Sequence, residues 1–130
     1  MTIRLGMVGG GEGAFIGAVH RIAARLDGEY TLIAGALSSD AARAASSAAA
    51  LGLDPSRSYA DFREMASAEA AREDGIEAVA IVTPNHVHFE PCEAFLKAGI
   101  HVICDKPLTT SMEKAKALEA LVAETGLVFA

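Results

Sequence analysis

The strongest constraint on the fold of this sequence is a series of short apolar runs separated by segments with helical spacing. Each run is continuous rather than alternating in polarity, which is typical of strands buried on both faces of a parallel sheet. Strands that alternate with helices predict right-handed crossovers, and therefore an α/β fold with a doubly wound parallel sheet. The predicted strands are Ile3–Val8, Thr31–Leu37, Ala78–Val82, Ile100–Cys104 and Leu127–Phe129, with a further short strand at Tyr59.

The segments between these runs carry the spacing and the capping residues of helices. The first helix is predicted from apolar residues at helical spacing, at Phe15, Val19, Ile22 and Leu26. The later helices are predicted from N-caps, which are Asp40 before an alanine-rich stretch to Leu51, and the capping-box pairs Asp61 with Glu64 and Thr110 with Glu113. Gly52 and Gly126 predict where two of these helices end.

The composition describes one globular domain over residues 1–130 and excludes several classes of function. Of the 130 residues, 52% are hydrophobic, which is enough apolar material for a core. The net charge of −6 argues against a nucleic-acid partner, which would need a basic stripe. No apolar run approaches about 18 residues, so no membrane span is expected. The N-terminus also lacks the pattern of a signal peptide.

The cysteines and the last residues add two expectations. Cys92 and Cys104 show no metal-binding spacing, so we expect free thiols in a reducing cytoplasm rather than a disulfide or a zinc site. Because the sequence ends at Ala130, inside a predicted buried strand, we expect it to be a domain of a longer chain.

A cluster of five glycines follows the first predicted strand, between Gly9 and Gly17. In dinucleotide-binding folds such a loop lets the backbone approach the pyrophosphate, which the N–H groups of the next helix attract. Gly9 and Gly11 would form the phosphate-facing turn. The literal match to the motif then ends at Ala14, whereas the longer spacing, which we favour, uses Gly17 to pack the helix on the strand. The remaining loop residues are Gly10 and Gly13, which would give it freedom, and Phe15 and Ile16, which would help to pack it.

The tip of the second predicted strand carries hydroxyl groups where NAD-binding folds carry a carboxylate. That carboxylate binds the ribose hydroxyls of NAD, but here the strand ends at Ser38 and Ser39. Asp40 follows and is explained equally well as a helix cap. Because Ser38, Ser39 and Arg43 are suited to a 2′-phosphate, the sequence favours NADP over NAD as the cofactor.

Polar side chains also follow the predicted strand Ala78–Val82. Pro91 fits only the first turn of the next helix, so residues 83–90 are predicted to be a loop. This loop would lie at the crevice where doubly wound sheets bind ligands. No carboxylate or cysteine pattern completes a metal site there, so no metal is predicted. The side chains expected at the crevice are Thr83, Asn85, His86 and His88.

A lysine at the tip of the next buried strand is the candidate catalytic residue. Lys106 is flanked by Asp105 and Pro107, and the proline restricts it to extended geometry and permits a cis peptide bond. This geometry is expected to direct the ammonium group into the crevice. There it could stabilise an alkoxide that develops as hydride leaves, or relay its proton. The competing interpretation is a surface lysine paired with Asp105.

Together these loops resemble the N-terminal domain of the Gfo/Idh/MocA oxidoreductase family, the relatives of glucose–fructose oxidoreductase and inositol dehydrogenase. The resemblance rests on TPNHVH at residues 83–88 and on AGIHVICDKP, which ends at Pro107, and it covers essentially the whole chain. It implies a Rossmann-type fold and an NAD(P)-dependent dehydrogenase acting on a sugar, a cyclitol or a related polyol. The chain departs from the family in having Asp105 where Glu is usual and in having a longer glycine loop.

The resemblance also implies roles for residues and for parts that this sequence does not contain. Lys106 would contact substrate and nicotinamide. A second α/β domain would supply most of the substrate pocket and often a homo-oligomer interface, so the chain alone is expected to be inactive. Thr83, Pro84, Asn85 and His88 would line the cofactor. The full set of candidate cofactor-binding residues is Gly9, Gly11, Gly13, Phe15, Ile16, Ser38, Ser39, Arg43, Thr83, Pro84, Asn85, His88, Asp105, Lys106 and Pro107.

Two other functions fit parts of the sequence. A non-catalytic, dinucleotide-sensing regulator could use the same fold, with Lys106 serving cofactor contact only. A methyltransferase-type domain that binds S-adenosylmethionine also has a glycine loop. It normally carries an acid at the second strand tip, where this chain has Ser38 and Ser39.

Overall fold

Four strands alternate with five helices in the computed structural model, which describes all 130 residues. None of the helices combines the length and the apolar character needed to cross a bilayer. The strands are β1 (Ile3–Gly9), β2 (Tyr30–Ala36), β3 (Ala78–Val82) and β4 (His101–Cys104). The helices are α1 (Phe15–Leu26), α2 (Ala41–Ala50), α3 (Phe62–Ala70), α4 (Phe89–Lys97) and α5 (Met112–Thr125), with 3-10 turns at Pro55–Arg57 and Asn85–Val87.

The predicted parallel sheet is confirmed. Its strand order is β2-β1-β3-β4, and each neighbouring pair is parallel. The order reverses between β1 and β3, so their carboxyl ends lie side by side at one edge of the sheet. In doubly wound sheets this is the position where ligands bind.

Both faces of the sheet are buried, which explains why the strand sequences are continuously apolar. In β3, Val79 and Ile81 belong to a cluster of 15 buried residues that packs against α3, α4 and α5. Ala78, Ala80 and Val82 point to the opposite face and join a cluster of 8 buried residues. Helices α1 and α2 pack on that second face, so the two faces are covered by different parts of the chain.

The last predicted strand is present only as a short extension of the sheet. Leu127–Phe129 runs parallel to β4, with a single bridge between Val102 and Phe129. Three backbone hydrogen bonds join it to β4, the shortest being 2.7 Å from the Cys104 N–H to the Ala130 carbonyl. The predicted strand is therefore in the correct position, but it forms a single bridge rather than a regular strand.

The further strand predicted at Tyr59 is likewise reduced to one bridge, between Gly35 and Ser58. The 3-10 turn Pro55–Arg57 ends immediately before it, and α3 begins at Phe62. The few residues between these elements are too short to form a regular strand.

The predicted N-caps of α2 and α3 are confirmed. The Asp40 carboxylate accepts a hydrogen bond from the Arg43 N–H at 2.8 Å, and the Asp61 carboxylate accepts one from the Arg63 N–H at 2.7 Å. Glu64 returns no hydrogen bond to Asp61, so the predicted capping box is only half formed.

The predicted cap of α5 is wrong by one residue. Ser111, rather than Thr110, is the N-cap, and its hydroxyl accepts from the Lys114 N–H at 3.2 Å. The extended backbone of Ser111 brings its hydroxyl within reach of that amide, three residues ahead. The helix ends as predicted at Gly126, which has a φ of 68°.

The apolar spacing that predicts α1 lies on its exposed side. Phe15 and Leu26 are 82% and 77% exposed, and Val19 and Ile22 between them are 42% and 54% exposed. The only fully buried residue of α1 is Gly17. The helix is therefore correctly predicted, but its large apolar residues form an exposed α1 stripe (Phe15, Val19, Ile22 and Leu26).

A buried ionic network joins α3 to the segments on either side of it. The side chain of Glu69 is completely buried, and its carboxylate pairs with the Arg57 guanidinium. The Tyr59 hydroxyl and the Ile76 N–H donate to the same carboxylate at 2.8 and 3.1 Å. Burial, reinforced by the adjacent carboxylate, raises the pKa of Tyr59 to about 12. Every acceptor position of Glu69 is thus engaged within the fold.

Candidate functional site

The carboxyl ends of β1, β2 and β3 open into one cleft with a volume of about 720 Å³. It lies where the strand order reverses, and its walls come from the loop after β1, the tip of β2, the start of α3 and the loop after β3. The structure therefore brings together loops that are distant in sequence. The predicted cofactor-binding residues that line the cleft are Gly9, Gly11, Ser38, Ser39, Arg43, Thr83 and Pro84.

The glycine loop forms one wall of the cleft with backbone rather than side chains. Gly9 and Gly10 have φ angles of 82° and 75°, which other L residues rarely adopt. A Cβ at Gly9 would lie 3.0 Å from the Thr83 amide nitrogen, so the loops after β1 and β3 are in backbone contact. Glycine is required here by both conformation and space.

Gly11 has a packing role that the motif does not reveal. Its N–H donates to the Leu37 carbonyl at 3.0 Å, and a Cβ would lie 2.8 Å from that same oxygen. The next N–H, of Glu12, donates to the Ser47 hydroxyl at 2.9 Å. Because both amides are used within the fold, Gly11 holds the loop against β2 and α2 rather than offering its N–H to a phosphate.

The unpaired amides of the loop lie further along the chain. The N–H groups of Gly13, Phe15 and Ile16 make no hydrogen bond within the chain. The N-cap of α1 is Ala14, which lines the cleft and has no side chain that could cap these amides. Free amides and the positive end of the helix dipole attract anions. This end of α1 is therefore suited to a diphosphate.

Gly17 and not Ala14 packs α1 closely, as the longer spacing predicts, although its nearest backbone neighbour is Gly10 of the loop rather than β1. A Cβ at Gly17 would lie 2.5 Å from the Cα of Gly10. Gly17 is buried, whereas Ala14 is exposed. Arg21 supports the same contact from one turn further on, where its guanidinium donates to the Gly10 carbonyl at 2.8 Å.

We expect Gly17→Ala to lower the free energy of unfolding by about 1–3 kcal/mol, because the new methyl group must displace the backbone of Gly10. Urea-induced unfolding measures the effect. Ala18→Ser, on the exposed side of the same helix, is the matched control and should stay within about 0.5 kcal/mol of the parent. Equal stability of the two variants would contradict this packing role.

At the tip of β2, the rim of the cleft lacks the carboxylate that NAD-binding folds carry at this position. Asp40 caps α2 and does not line the cleft. Its interpretation as a helix cap is therefore confirmed. Ser38 and Ser39 line the rim, together with Arg43 from the first turn of α2. The exposed Arg43 guanidinium makes no hydrogen bond or salt bridge within the chain, so it is free to bind an anion.

The loop after β3 is shorter than predicted. The prediction of a loop over residues 83–90 is wrong in extent, because Asn85–Val87 form a 3-10 turn and α4 begins at Phe89. The Thr83 hydroxyl donates at 3.0 Å to the carbonyl that ends this turn. Pro91 lies in the first turn of α4, as predicted.

His88 lies behind the cleft and joins two of the surrounding loops. It is only 1% exposed. Its Nε2 lies 2.9 Å from the Thr83 carbonyl oxygen, and its Nδ1 lies 2.6 Å from the Pro107 carbonyl oxygen. The ring therefore connects the loop after β3 to the loop after β4 and does not itself line the cleft.

Lys106 is exposed, and it does not line the cleft. The predicted alternative pairing with Asp105 is not formed, because Asp105 instead accepts a hydrogen bond from His20 Nε2 at 3.5 Å. The peptide bond between Lys106 and Pro107 is cis, as the sequence permits. The catalytic role of Lys106 stays a prediction.

Eight predicted cofactor-binding residues lie outside the cleft lining. Phe15 belongs to the exposed α1 stripe, and Ile16 packs against the smaller buried cluster. The loop after β4 accounts for three of the other six. The eight are Gly13, Phe15, Ile16, Asn85, His88, Asp105, Lys106 and Pro107.

The start of α3 is the part of the cleft that the sequence analysis missed. Asp61, Phe62 and Arg63 line it, and the Arg63 guanidinium lies 4.4 Å from the centroid of the Phe62 ring. The sequence indicates Asp61 only as a helix cap. The short strand predicted at Tyr59 is the one signal in the sequence for these residues. The residues that follow a parallel strand lie at the same edge of the sheet as the other loops.

The two cysteines do not line the cleft. Cys92 and Cys104 are both free, as predicted. The structure contains no group of three or more His, Cys, Asp or Glu residues that could hold a metal ion.

Known proteins resemble this chain in both sequence and structure. The profile of Gfo/Idh/MocA, an oxidoreductase family with an NAD-binding Rossmann fold, matches residues 3–130. An oxidoreductase from Sinorhizobium meliloti is 62% identical, with a TM-score of 0.94 over 99% of this chain and 36% of that one. An inositol dehydrogenase homologue from Azotobacter vinelandii, complexed with NADH and myo-inositol, is 43% identical, with a TM-score of 0.96 over 99% of this chain and 34% of that one.

Among curated proteins, the uncharacterized oxidoreductase YfiI of Bacillus subtilis is 42% identical over 127 residues, which are 97% of this chain and 32% of the relative. The chain thus spans about a third of the length of the relatives it matches.

Proposed function

The chain belongs to the Gfo/Idh/MocA oxidoreductase family, and from this premise we propose that it is the cofactor-binding domain of a longer dehydrogenase. That enzyme would transfer hydride between a nicotinamide cofactor and a sugar, a cyclitol or a related polyol. Residues 1–130 form its dinucleotide-binding unit. The remaining length of such an enzyme would complete the substrate pocket and form contacts between subunits.

The observation that carries this proposal is the cleft between β1 and β3. Its wall is bare backbone at Gly9 and Gly10, where a Cβ would meet neighbouring atoms at about 3 Å. The unpaired N–H groups of Gly13, Phe15 and Ile16 suit the diphosphate of a dinucleotide. Side chains at Ser38, Ser39 and Arg43 suit one ribose end, and Thr83 and Pro84 lie on the β3 side of the cleft.

When bound, the nicotinamide supplies the chemistry of hydride acceptance or donation. The residue of this chain that would take part in the reaction is Lys106, whose ammonium group carries a proton. Its Nζ makes no ion pair in the structure, and its side chain is exposed. There the ammonium can stabilise the negative charge that develops on a substrate oxygen, or carry the proton of that hydroxyl.

The experiment that tests cofactor binding is a thermal-shift titration of this chain with NAD, NADP and S-adenosylmethionine. A shift with NAD or NADP and none with S-adenosylmethionine supports the proposal. The full-length protein is then assayed for NAD(P)H production with a panel of sugars and cyclitols. Cofactor binding without turnover on any of them would favour the dinucleotide-sensing regulator instead.

Within the family's use of nicotinamide dinucleotides, we infer a preference for NADP. The support is the rim at the tip of β2, which offers two hydroxyls and an unpaired guanidinium but no strand-tip carboxylate. A 2′-phosphate would be hydrogen-bonded by Ser38 and Ser39 and paired with Arg43. The Azotobacter relative is complexed with NADH, so the preference is tested by titrating both cofactors.

Arg43→Ala is expected to weaken NADP binding by about 10- to 100-fold, the effect of losing a charged hydrogen bond worth about 1.5–3 kcal/mol. NAD affinity should change little. Calorimetric titration of both cofactors measures the two dissociation constants. Arg25→Ala, at the exposed end of α1 and away from the cleft, is the control. Unchanged NADP affinity in Arg43→Ala would refute the preference.

A further inference from the structure

The buried imidazole of His88 makes two hydrogen bonds that no neutral histidine can make together. Its Nδ1 faces the Pro107 carbonyl at 2.6 Å, and its Nε2 faces the Thr83 carbonyl at 2.9 Å. A carbonyl oxygen only accepts hydrogen bonds, so each ring nitrogen must donate. A neutral imidazole carries one N–H and the imidazolium carries two.

We propose that His88 is held as an imidazolium and acts as a positioning residue, which joins the Lys106 loop to the cleft. The inference rests on the proposed function of Lys106, because it concerns how that residue is placed. Pro107, which accepts one of the two hydrogen bonds, directly follows Lys106. Thr83, which accepts the other, lines the cleft.

The Lys106 loop, which consists of Asp105, Lys106 and Pro107 after β4, is held on both sides of the lysine. On one side the Asp105 N–H donates to the Ile81 carbonyl at 3.1 Å, which keeps the loop on β3. On the other side the loop has the His88 contact at Pro107. Loss of that contact would release Pro107, the residue next to the lysine, and a displacement of about 1 Å at a reacting group can cost about 100-fold in rate.

The surroundings of His88 contain the ionisable groups of two neighbouring elements. Cys104, at the end of β4, has a pKa lowered chiefly by its hydrogen bond with Cys92 of α4 and further by the charge of His88. Asp105 acts on the same thiol in the opposite direction. Two backbone carbonyls, rather than a carboxylate, thus provide the direct hydrogen-bonding partners of the charged ring.

Nitrogen NMR of the chain labelled at its histidines tests the proton count without any mutation. Near neutral pH, both ring nitrogens of His88 should give the signal of a protonated nitrogen. His101 provides a matched comparison within the same molecule, because its Nδ1 accepts the Val128 N–H at 3.0 Å and must be unprotonated. A bare nitrogen on the His88 ring would overturn the proposal.

The positioning role is tested by kinetics of the full-length protein. His88→Ala should lower kcat on the order of 100-fold, with the dissociation constant of the cofactor changed less than about threefold. His88→Gln, which can donate to one carbonyl, should recover part of the loss. Unchanged kcat in His88→Ala would refute the role. If Lys106→Ala itself retains full turnover, the proposed function of Lys106 fails, while the NMR result still decides the proton count of His88.

Discussion

Lys106→Ala in the full-length protein is expected to lower kcat by roughly 10²- to 10⁴-fold, the usual contribution of a general acid or base. The lysine follows β4 in a loop held by Asp105 and Pro107, and its ammonium has no partner within the chain. Cofactor affinity should be little changed, because the cleft lining does not include Lys106. Steady-state kinetics and a separate cofactor titration measure the two effects.

Lys106→Arg separates the two roles that the ammonium could play. Arginine keeps the positive charge but does not release its proton near neutral pH. Recovery of turnover in this variant would indicate electrostatic stabilisation, whereas continued loss would indicate proton transfer. Lys116→Ala, an exposed lysine of α5, is the control for a general effect of surface charge. Full activity in Lys106→Ala would remove the residue from the mechanism.

Glu69→Ala is expected to lower the free energy of unfolding by about 3–5 kcal/mol, because the buried Arg57 guanidinium loses its buried carboxylate and keeps only the exposed Asp74 as an ion-pair partner. The Tyr59 hydroxyl and the Ile76 N–H lose their acceptor in the same change. A typical domain has only about 5–15 kcal/mol of stability. The variant should therefore unfold at a much lower urea concentration, measured by circular dichroism.

Two further variants define the cause of this loss. Glu64→Gln lies on the exposed side of the same helix and should change stability by less than about 0.5 kcal/mol. Replacing both partners by apolar residues, Arg57→Met with Glu69→Leu, should restore part of the stability, because no buried charge remains unpaired, while the Tyr59 hydroxyl and the Ile76 N–H still lack an acceptor. A double variant as unstable as Glu69→Ala would show that the loss comes from packing and from the two unsatisfied donors rather than from the buried charge.

The fold could be predicted because strand burial and helix caps are local features of the sequence. The apolar run Ala78–Val82 matches β3 in full, since every residue of that strand is buried on one face or the other. The α1 stripe shows the limit of the same reasoning. Helical spacing identifies a helix, but it does not tell which side of the helix faces the sheet, because Gly17 can pack more closely than any large residue.

The cleft could be predicted in part, for the loops that directly follow named strands. Gly9, Ser38 and Thr83 each follow a predicted strand, and the strands of a parallel sheet end at the same edge. Asp61 and Phe62 are not indicated by the sequence, because Asp61 is explained as a helix cap and Phe62 as an apolar residue of the helix that follows. The position of His88 was not predictable, since its two contacts are with backbone carbonyls that carry no sequence signal.

The α1 stripe also affects how strongly copies of this chain associate in concentrated solution. Phe15 and Leu26 present apolar surface to water at opposite ends of one helix face, and contiguous patches of this kind promote association between molecules. The net charge of −6 opposes that attraction by repulsion between like-charged copies. Salt screens the repulsion over a Debye length of about 10 Å at 0.1 M, and leaves the attraction in place. Concentrated solutions of the chain are therefore best kept at low ionic strength.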